Sequence, residues 1–131
     1  LAAARREGRI VRESGALVAL VPNAPRQPLE TWIVPREPEA FFHATAPDRV
    51  AALADLTRWF VARLAALAPD ADYNWWLHQL PFTGHDALAS RWRWHLEILP
   101  RLTPLAGFEL ATGCHISVMT PRDAAGLLRD G

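Results

Sequence analysis

A long stretch of helical periodicity constrains this chain more than any other feature of its sequence. Large apolar residues recur every three or four positions between residues 46 and 68, which places them on one helix face; they are Val50, Leu53, Leu56, Phe60, Leu64 and Leu67. Thr45, followed three residues later by Asp48, is predicted to cap this helix, with Pro47 in its first turn. Pro69 is predicted to end it. Such an apolar face needs another layer of structure to cover it.

The segments on both sides of this helix have the composition of β-strands. Predicted strands lie at residues 9–22, as a hairpin turning at Glu13-Ser14-Gly15, and at residues 30–35, 74–82, 91–100 and 105–119. The segment from Thr120 to Asp123 is predicted to cap a short helix that ends near Arg129. This order of elements predicts an α+β fold, an antiparallel sheet with one long and one short helix.

Length and composition limit the classes of protein to consider. The 131 residues are enough for a single domain with its own core, residues 1–131, and the 14 basic and 14 acidic residues balance. This balance does not favour nucleic acid or an anionic membrane as a partner. A single cysteine, Cys114, and the lack of an apolar run of about 20 residues favour a cytoplasmic protein. Because the first residue is leucine, we expect the chain to be a fragment of a longer protein.

The stretch RWRWHLEILP, residues 91–100, carries the most interpretable chemistry. Side chains alternate along a strand, so the stretch divides into a polar row of Arg93, His95 and Glu97 and an apolar row of Trp94, Leu96 and Ile98. The apolar row is predicted to face the core. The polar row is therefore a candidate functional site.

A second histidine, His78, lies inside the apolar segment NWWLHQLPF. If its strand pairs with the strand at 91–100, His78 and His95 face each other about 5 Å apart at Cβ. Two imidazoles and the Glu97 carboxylate suit one Zn²⁺ or Fe²⁺ ion, with Asp86 as the local candidate for a fourth ligand. The alternative is a hydrogen-bonded polar cluster that holds no metal.

Other catalytic chemistry has less support in the sequence. Cys114 and His115 are adjacent and would point to opposite faces of a strand, which argues against a thiolate dyad. The sequence contains no glycine-rich phosphate loop, Cys-x-x-Cys pair or serine elbow. A further hypothesis has His95 attacking a phosphate while Arg93 stabilises the developing charge.

Several segments resemble the C-terminal half of galactose-1-phosphate uridylyltransferases, members of the histidine-triad superfamily. The matching segments are ETWIVP (30–35), YNWWLH (73–78), WHLEILPRLT (94–103), AGFE (106–109) and TPRDAA (120–125). The resemblance extends from residue 9 to residue 129 and implies a histidine-triad-like fold. It also implies that the parent enzyme transfers UMP between UDP-hexose and hexose-1-phosphate.

The resemblance further implies roles for particular residues. The implied metal ligands are His78, His95 and, with glutamate in place of a histidine, Glu97, which would hold zinc or iron. The implied nucleotide-sugar contacts are Thr103, Phe108, Glu109 and His115. In the family these contacts reach the site of a second subunit, so a homodimer is expected.

The chain also departs from the family pattern. The family's nucleophile lies in a His-Pro-His motif of the N-terminal domain, and no such motif occurs here. No catalytic residue is therefore assigned, and we expect the chain alone to be inactive without an N-terminal catalytic domain. The superfamily's histidine triad would occupy positions 93, 95 and 97, where this chain has Arg93, His95 and Glu97. Two alternatives follow: a non-catalytic domain that binds a nucleotide or partner, or a stand-alone hydrolase that uses His95.

Overall fold

An antiparallel sheet of five strands organises the computed structural model, which describes residues 1–130 except for the side chain of Asp86. The strands are β1 (Ile10–Ser14), β2 (Leu17–Leu20), β3 (Thr31–Pro35), β4 (Tyr73–His78) and β5 (His95–Pro100). The α-helices of the described chain are α1 (Ala2–Arg6), α2 (Pro47–Leu67), α3 (Gly107–Thr112) and α4 (Pro121–Asp130), with short 3-10 helices at Phe42–Ala44 and Asp86–Leu88. The order across the sheet is β1-β2-β3-β5-β4, so β5 lies between β3 and the edge strand β4.

The first two strands form the predicted hairpin, with Ser14 paired with Leu17. Gly15 lies in the turn with a φ of +55°, in the left-handed region where glycine is least strained. β3 then pairs with β2 from Trp32 to Pro35, and β5 pairs with β3. These pairings bring a strand from the second half of the chain into the middle of the sheet.

One face of α2 covers the sheet and forms the main core. Its buried residues pack against side chains from β2, β3, β5 and α4; the helix contributes Leu53, Leu56, Phe60 and Leu64. Each such Leu or Phe contributes roughly 1.5–3 kcal/mol relative to an exposed position. Trp94 and Ile98 are also fully buried there, so these two residues of the apolar row lie in the core as predicted. The row's third member, Leu96, is partly buried against the same core.

The predicted α+β fold is confirmed, including the long helix and the final short helix. Thr120 begins α4 as expected: its hydroxyl oxygen accepts a hydrogen bond from the Asp123 backbone N–H at 3.2 Å. Two short helices, α1 and α3, were not predicted. Among residues 1–130, no helix is both long and apolar enough to cross a membrane.

Three local predictions are wrong. Thr45 does not cap α2, because Ala46 occupies the N-cap position and the Thr45 hydroxyl is buried without a hydrogen-bond partner among the described residues. Residues 105–119 contain α3 in place of the predicted strands, since Glu109 accepts a hydrogen bond from the Ala106 backbone N–H at 3.1 Å and local bonding favours a helical turn. The strand at 91–100 begins only at His95; Arg93 makes an isolated bridge to Glu39.

Candidate metal centre

The pairing of β4 with β5 places two histidines side by side. His78 lies directly opposite His95 in the antiparallel register, and the two rings stack with their centroids 4.9 Å apart and their planes 18° apart. The two strands thus pair as the sequence analysis assumed. Because side chains opposite each other project from the same face of a sheet, both imidazoles are available to one ligand.

Glu97 joins the two histidines two residues further along β5. Its Oε2 atom lies 2.7 Å from Nε2 of His78, and one ligand atom from each of the three residues lies within 4.8 Å of the others. Glu97 is only 4% exposed, whereas His78 is exposed. The cluster is therefore buried at the carboxylate and open to solvent at His78.

His95 is held in place by contacts with β3 and with its own strand. Its ring stacks on Trp32, with the centroids 4.5 Å apart, and its Nδ1 atom lies 3.4 Å from the Arg93 carbonyl oxygen. Burial lowers the pKa of His95; the Arg93 carbonyl opposes this shift, and the charge of a protonated His78 reinforces it. A lowered pKa favours the neutral imidazole, which is the form that binds metals.

A second buried carboxylate, Glu30, lies next to this cluster and was missed at the sequence level. It is 1% exposed and accepts hydrogen bonds from the Arg26 backbone N–H at 2.6 Å, the Arg26 guanidinium at 3.1 Å and Nε1 of Trp32 at 3.1 Å. The same guanidinium also pairs with Oε1 of Glu97 and lies over the Trp76 ring, 5.0 Å from its centroid. No periodic pattern marks Arg26, because it lies in the loop between β2 and β3.

The formal charges of Glu30, Glu97 and Arg26 sum to −1 before His78, the other partner of Glu97, is counted. Glu30 and Glu97 supply two buried negative charges, and the Arg26 guanidinium, which contacts both, supplies one positive charge. An uncompensated charge in the interior is costly. A cation at His78, His95 and Glu97 would bring positive charge to this group, and two imidazoles with one carboxylate are a donor set suited to a metal ion.

The four residues predicted to contact a nucleotide-sugar are not part of this cluster, and they do not all come together. Thr103 and His115 line a cavity of about 160 Å³ that Arg26 also borders. Phe108 lies exposed on α3, and the Glu109 carboxylate bonds the start of its own helix. These assignments remain predictions.

Gln27, which the sequence did not single out, fixes Thr103 to the body of the protein. Its Oε1 atom accepts hydrogen bonds from the Thr103 hydroxyl at 2.7 Å and the Thr103 backbone N–H at 3.1 Å, and its Nε2 donates to the Thr103 carbonyl at 3.2 Å. The two residues are 76 positions apart in the chain. The segment that follows β5 is therefore anchored to the loop that precedes β3.

The remaining candidates have other surroundings. The Arg93 guanidinium donates to the Arg36 carbonyl at 3.2 and 3.3 Å, so it is occupied by the backbone. Cys114 is exposed. The side chain of Asp86, the candidate fourth ligand, lies outside the described part of the structure. A larger cavity of about 580 Å³ also borders His95 and Trp32.

Comparison with known proteins finds similarity to a nucleotide-sugar enzyme. It is 30% identical over 121 residues to ADP-glucose phosphorylase from Arabidopsis thaliana, which covers 92% of this chain and 34% of that protein. The crystal structure of ADP-glucose phosphorylase from the same plant, with bound ADP-glucose, superposes with a TM-score of 0.91 at 29% identity, covering 98% of this chain and 42% of that one. The chain resembles one domain of the galactose-1-phosphate uridylyltransferase-like proteins. The resemblance predicted from the sequence is thus confirmed.

More distant structures share the fold of this chain. A uridylyltransferase matches with a TM-score of 0.83 at 24% identity, over 96% of this chain and 42% of that one. A zinc-bound histidine-triad family protein from Mycobacterium smegmatis matches with a TM-score of 0.62 at 18% identity, over 92% of this chain and 80% of that one. No protein-family model matches the chain. The chain spans about a third of the length of the curated relative it matches.

Proposed function

We propose that this chain is the C-terminal, metal-binding and nucleotide-sugar-binding domain of a galactose-1-phosphate uridylyltransferase-like enzyme. The parent reaction would transfer a nucleoside monophosphate between a nucleoside-diphosphate hexose and hexose-1-phosphate. The observation that carries the proposal is the similarity to ADP-glucose phosphorylase, which spans 92% of this chain. The single-domain organisation of residues 1–131 is part of the same proposal.

The nucleotide is the first point to test. The resemblance in the sequence motifs favours UDP-hexose, whereas the relative that was crystallised with ADP-glucose favours an adenine nucleotide. Calorimetric titration of the 131-residue chain with ADP-glucose and with UDP-glucose separates the two. Binding of neither would contradict a nucleotide-sugar site that is complete in this chain and would favour one completed by a second domain or subunit.

Catalysis is assigned to the part of the parent protein that carries a His-Pro-His motif. Such a motif does not occur in this chain, so we expect no turnover by the chain alone. Joining the chain to an N-terminal domain with that motif is expected to give nucleotidyl transfer. Turnover of a nucleoside phosphoramidate by this chain alone would instead support the hydrolase hypothesis with His95 as nucleophile.

The proposed metal ligands are His78, His95 and Glu97. Two imidazoles and one carboxylate are a donor set that suits Zn²⁺ or Fe²⁺. The net negative formal charge of Glu30, Glu97 and Arg26 favours a positively charged partner at this cluster, for which His78 is an alternative to a metal ion. The metal would tie β4 to β5 and so stabilise the sheet on the side of its edge strand.

Removal of one ligand tests this assignment. His95→Ala is expected to lower bound zinc or iron, measured by elemental analysis, together with the thermal unfolding midpoint. His85→Ala is the matched control, because His85 is exposed and is not among the clustered residues. Full metal retention in the His95→Ala protein, with His85→Ala unchanged, would refute the metal site.

A second candidate is a non-catalytic domain whose polar cluster holds no metal. The observation in its favour is that Glu97 already has two partners, His78 at 2.7 Å on one oxygen and Arg26 on the other. This candidate predicts a metal-free protein whose stability does not change with chelators. Elemental analysis of the purified chain decides between the two.

A homodimer is also part of the proposal. β4 is an edge strand, and its Trp75 side chain is 55% exposed beside an apolar groove that α2 also lines. Light scattering coupled to size-exclusion chromatography measures the oligomeric state, and a monomer at all concentrations would contradict this part.

A further inference from the structure

We infer that Arg26 is a positioning residue for the metal ligand Glu97, and that Glu30 holds Arg26 in the required orientation. This inference rests on the proposed metal site and adds to it two residues that hold a ligand in place without binding the metal themselves. Arg26 lies in the loop before β3, Glu30 is the last residue of that loop, and Glu97 lies on β5, an interior strand of the sheet. Their arrangement determines which oxygen of Glu97 points towards the histidines.

The two carboxylate oxygens of Glu97 have different partners. Arg26 contacts Oε1, and His78 contacts Oε2 at 2.7 Å. A carboxylate that is bonded on one oxygen cannot rotate freely about its last bond. The guanidinium therefore keeps Oε2 directed at the position where His78 and His95 converge.

Arg26 is itself restrained by its contacts. Glu30 binds Arg26 twice, at the backbone N–H and at the guanidinium, while the Trp76 ring lies beneath the guanidinium. Glu30 is in turn fixed by Nε1 of Trp32. Since Trp32 also stacks on His95, the network reaches a second proposed ligand through the same side chain.

A positioning role can be separated from simple charge effects. A guanidinium close to a metal ion repels it, so electrostatics alone predicts that loss of Arg26 would strengthen metal binding. Loss of a residue that orients a metal ligand instead weakens binding, typically by about 10- to 100-fold. The two roles thus predict changes of opposite sign in the dissociation constant.

Metal competition against a chelator tests this inference on the 131-residue chain loaded with Co²⁺ or Zn²⁺. We expect Arg26→Ala to weaken binding by about 10-fold or more, with a changed Co²⁺ absorption spectrum. Arg26→Lys keeps the charge but loses the planar guanidinium, whose Nη2 atom contacts both carboxylates and whose plane lies over the Trp76 ring, so it is also expected to weaken binding. Arg49→Ala is the control, because Arg49 is ion-paired with Glu39 and similarly exposed, 30% against 34%.

A change of the ligand shows whether Arg26 acts through Glu97. In a Glu97→His background the ligand no longer needs a guanidinium to orient it, so Arg26→Ala should leave the affinity unchanged or increase it. An equal loss in both backgrounds would indicate a general structural role and overturn the inference. Circular dichroism checks the folding of each variant. If Arg26→Ala does not fold, the metal affinity of Arg26→Lys is compared in both backgrounds instead.

The outcomes distinguish this inference from the metal proposal on which it rests. A wild-type chain that binds no metal refutes both. A wild-type chain that binds metal, with equal or tighter binding in Arg26→Ala and Arg26→Lys, overturns only the positioning role. Weaker binding in both variants, limited to the Glu97 background, supports it.

Discussion

Gln27 provides a direct test of how the segment after β5 is held in place. We expect Gln27→Leu to release the Thr103 segment from the body of the protein, because leucine keeps a similar volume but cannot form hydrogen bonds. Gln27 is buried, and its side chain forms three hydrogen bonds with Thr103, at 2.7, 3.1 and 3.2 Å. The substitution therefore removes one defined connection between two distant parts of the chain.

The size of the effect follows from these three contacts. Each hydrogen bond contributes about 1 kcal/mol net, so about 3 kcal/mol is an upper value for their loss. Thr103 is half-buried, so water can replace some of the hydrogen bonds that it loses. The expected loss of folding free energy is therefore about 2 kcal/mol. With an unfolding entropy of about 2.1 cal/mol/K for each of 131 residues, the thermal midpoint should fall by about 7 °C.

Thermal unfolding and amide hydrogen exchange together measure this effect. The exchange rate of the Thr103 amide should rise in Gln27→Leu, since its hydrogen-bond acceptor is gone. Gln79→Leu is the matched control: Gln79 accepts one hydrogen bond, from the Phe42 backbone N–H at 3.1 Å, and should leave Thr103 unaffected. A midpoint within about 2 °C of wild type, with unchanged Thr103 exchange, would refute the reasoning.

Two further predictions concern pH and a buried hydroxyl. The folded-state pKa of His95 lies below its unfolded value of about 6.5, so the unfolded state binds more protons at pH values between the two. The metal-free protein should therefore lose stability as the pH falls from about 7.5 through this interval. In urea unfolding, the free energy of unfolding of His95→Ala should depend less steeply on pH than that of the wild type. An equal slope in both proteins would contradict this. Thr57→Val should raise the free energy of unfolding, measured in urea, by about 1 kcal/mol, because the Thr57 hydroxyl is buried without a hydrogen-bond partner among the described residues. A destabilised variant would show that the hydroxyl does form a hydrogen bond.

The periodic elements could be predicted because their signals are local. The helix over Pro47–Leu67 follows from apolar spacing, and the hairpin from two apolar runs around Gly15. Residues 105–119 were assigned to strands in error, because a short apolar segment fits either a helix or a strand. The hydrogen bond from the Ala106 backbone N–H to the Glu109 carboxylate starts the helix α3, and the left-handed conformation of Gly113 ends it.

The proposed metal ligands His78, His95 and Glu97 could be named from strand alternation, given the assumption that their strands pair. The sequence could not supply Arg26, Glu30 or Gln27, because these residues lie in or beside a loop without periodicity. Their contacts depend on which loops the sheet order brings together.

The sequence by itself determined the long helix, the strand segments and the row of side chains on β5. These properties depend on residues within a few positions of each other, where side-chain alternation and helix spacing operate. Only the tertiary structure decided that β5 lies between β3 and β4, with His95 between Trp32 and His78. That placement gives the buried Glu97 an arginine and a histidine as partners, because burial and charge pairing arise between segments distant in the chain.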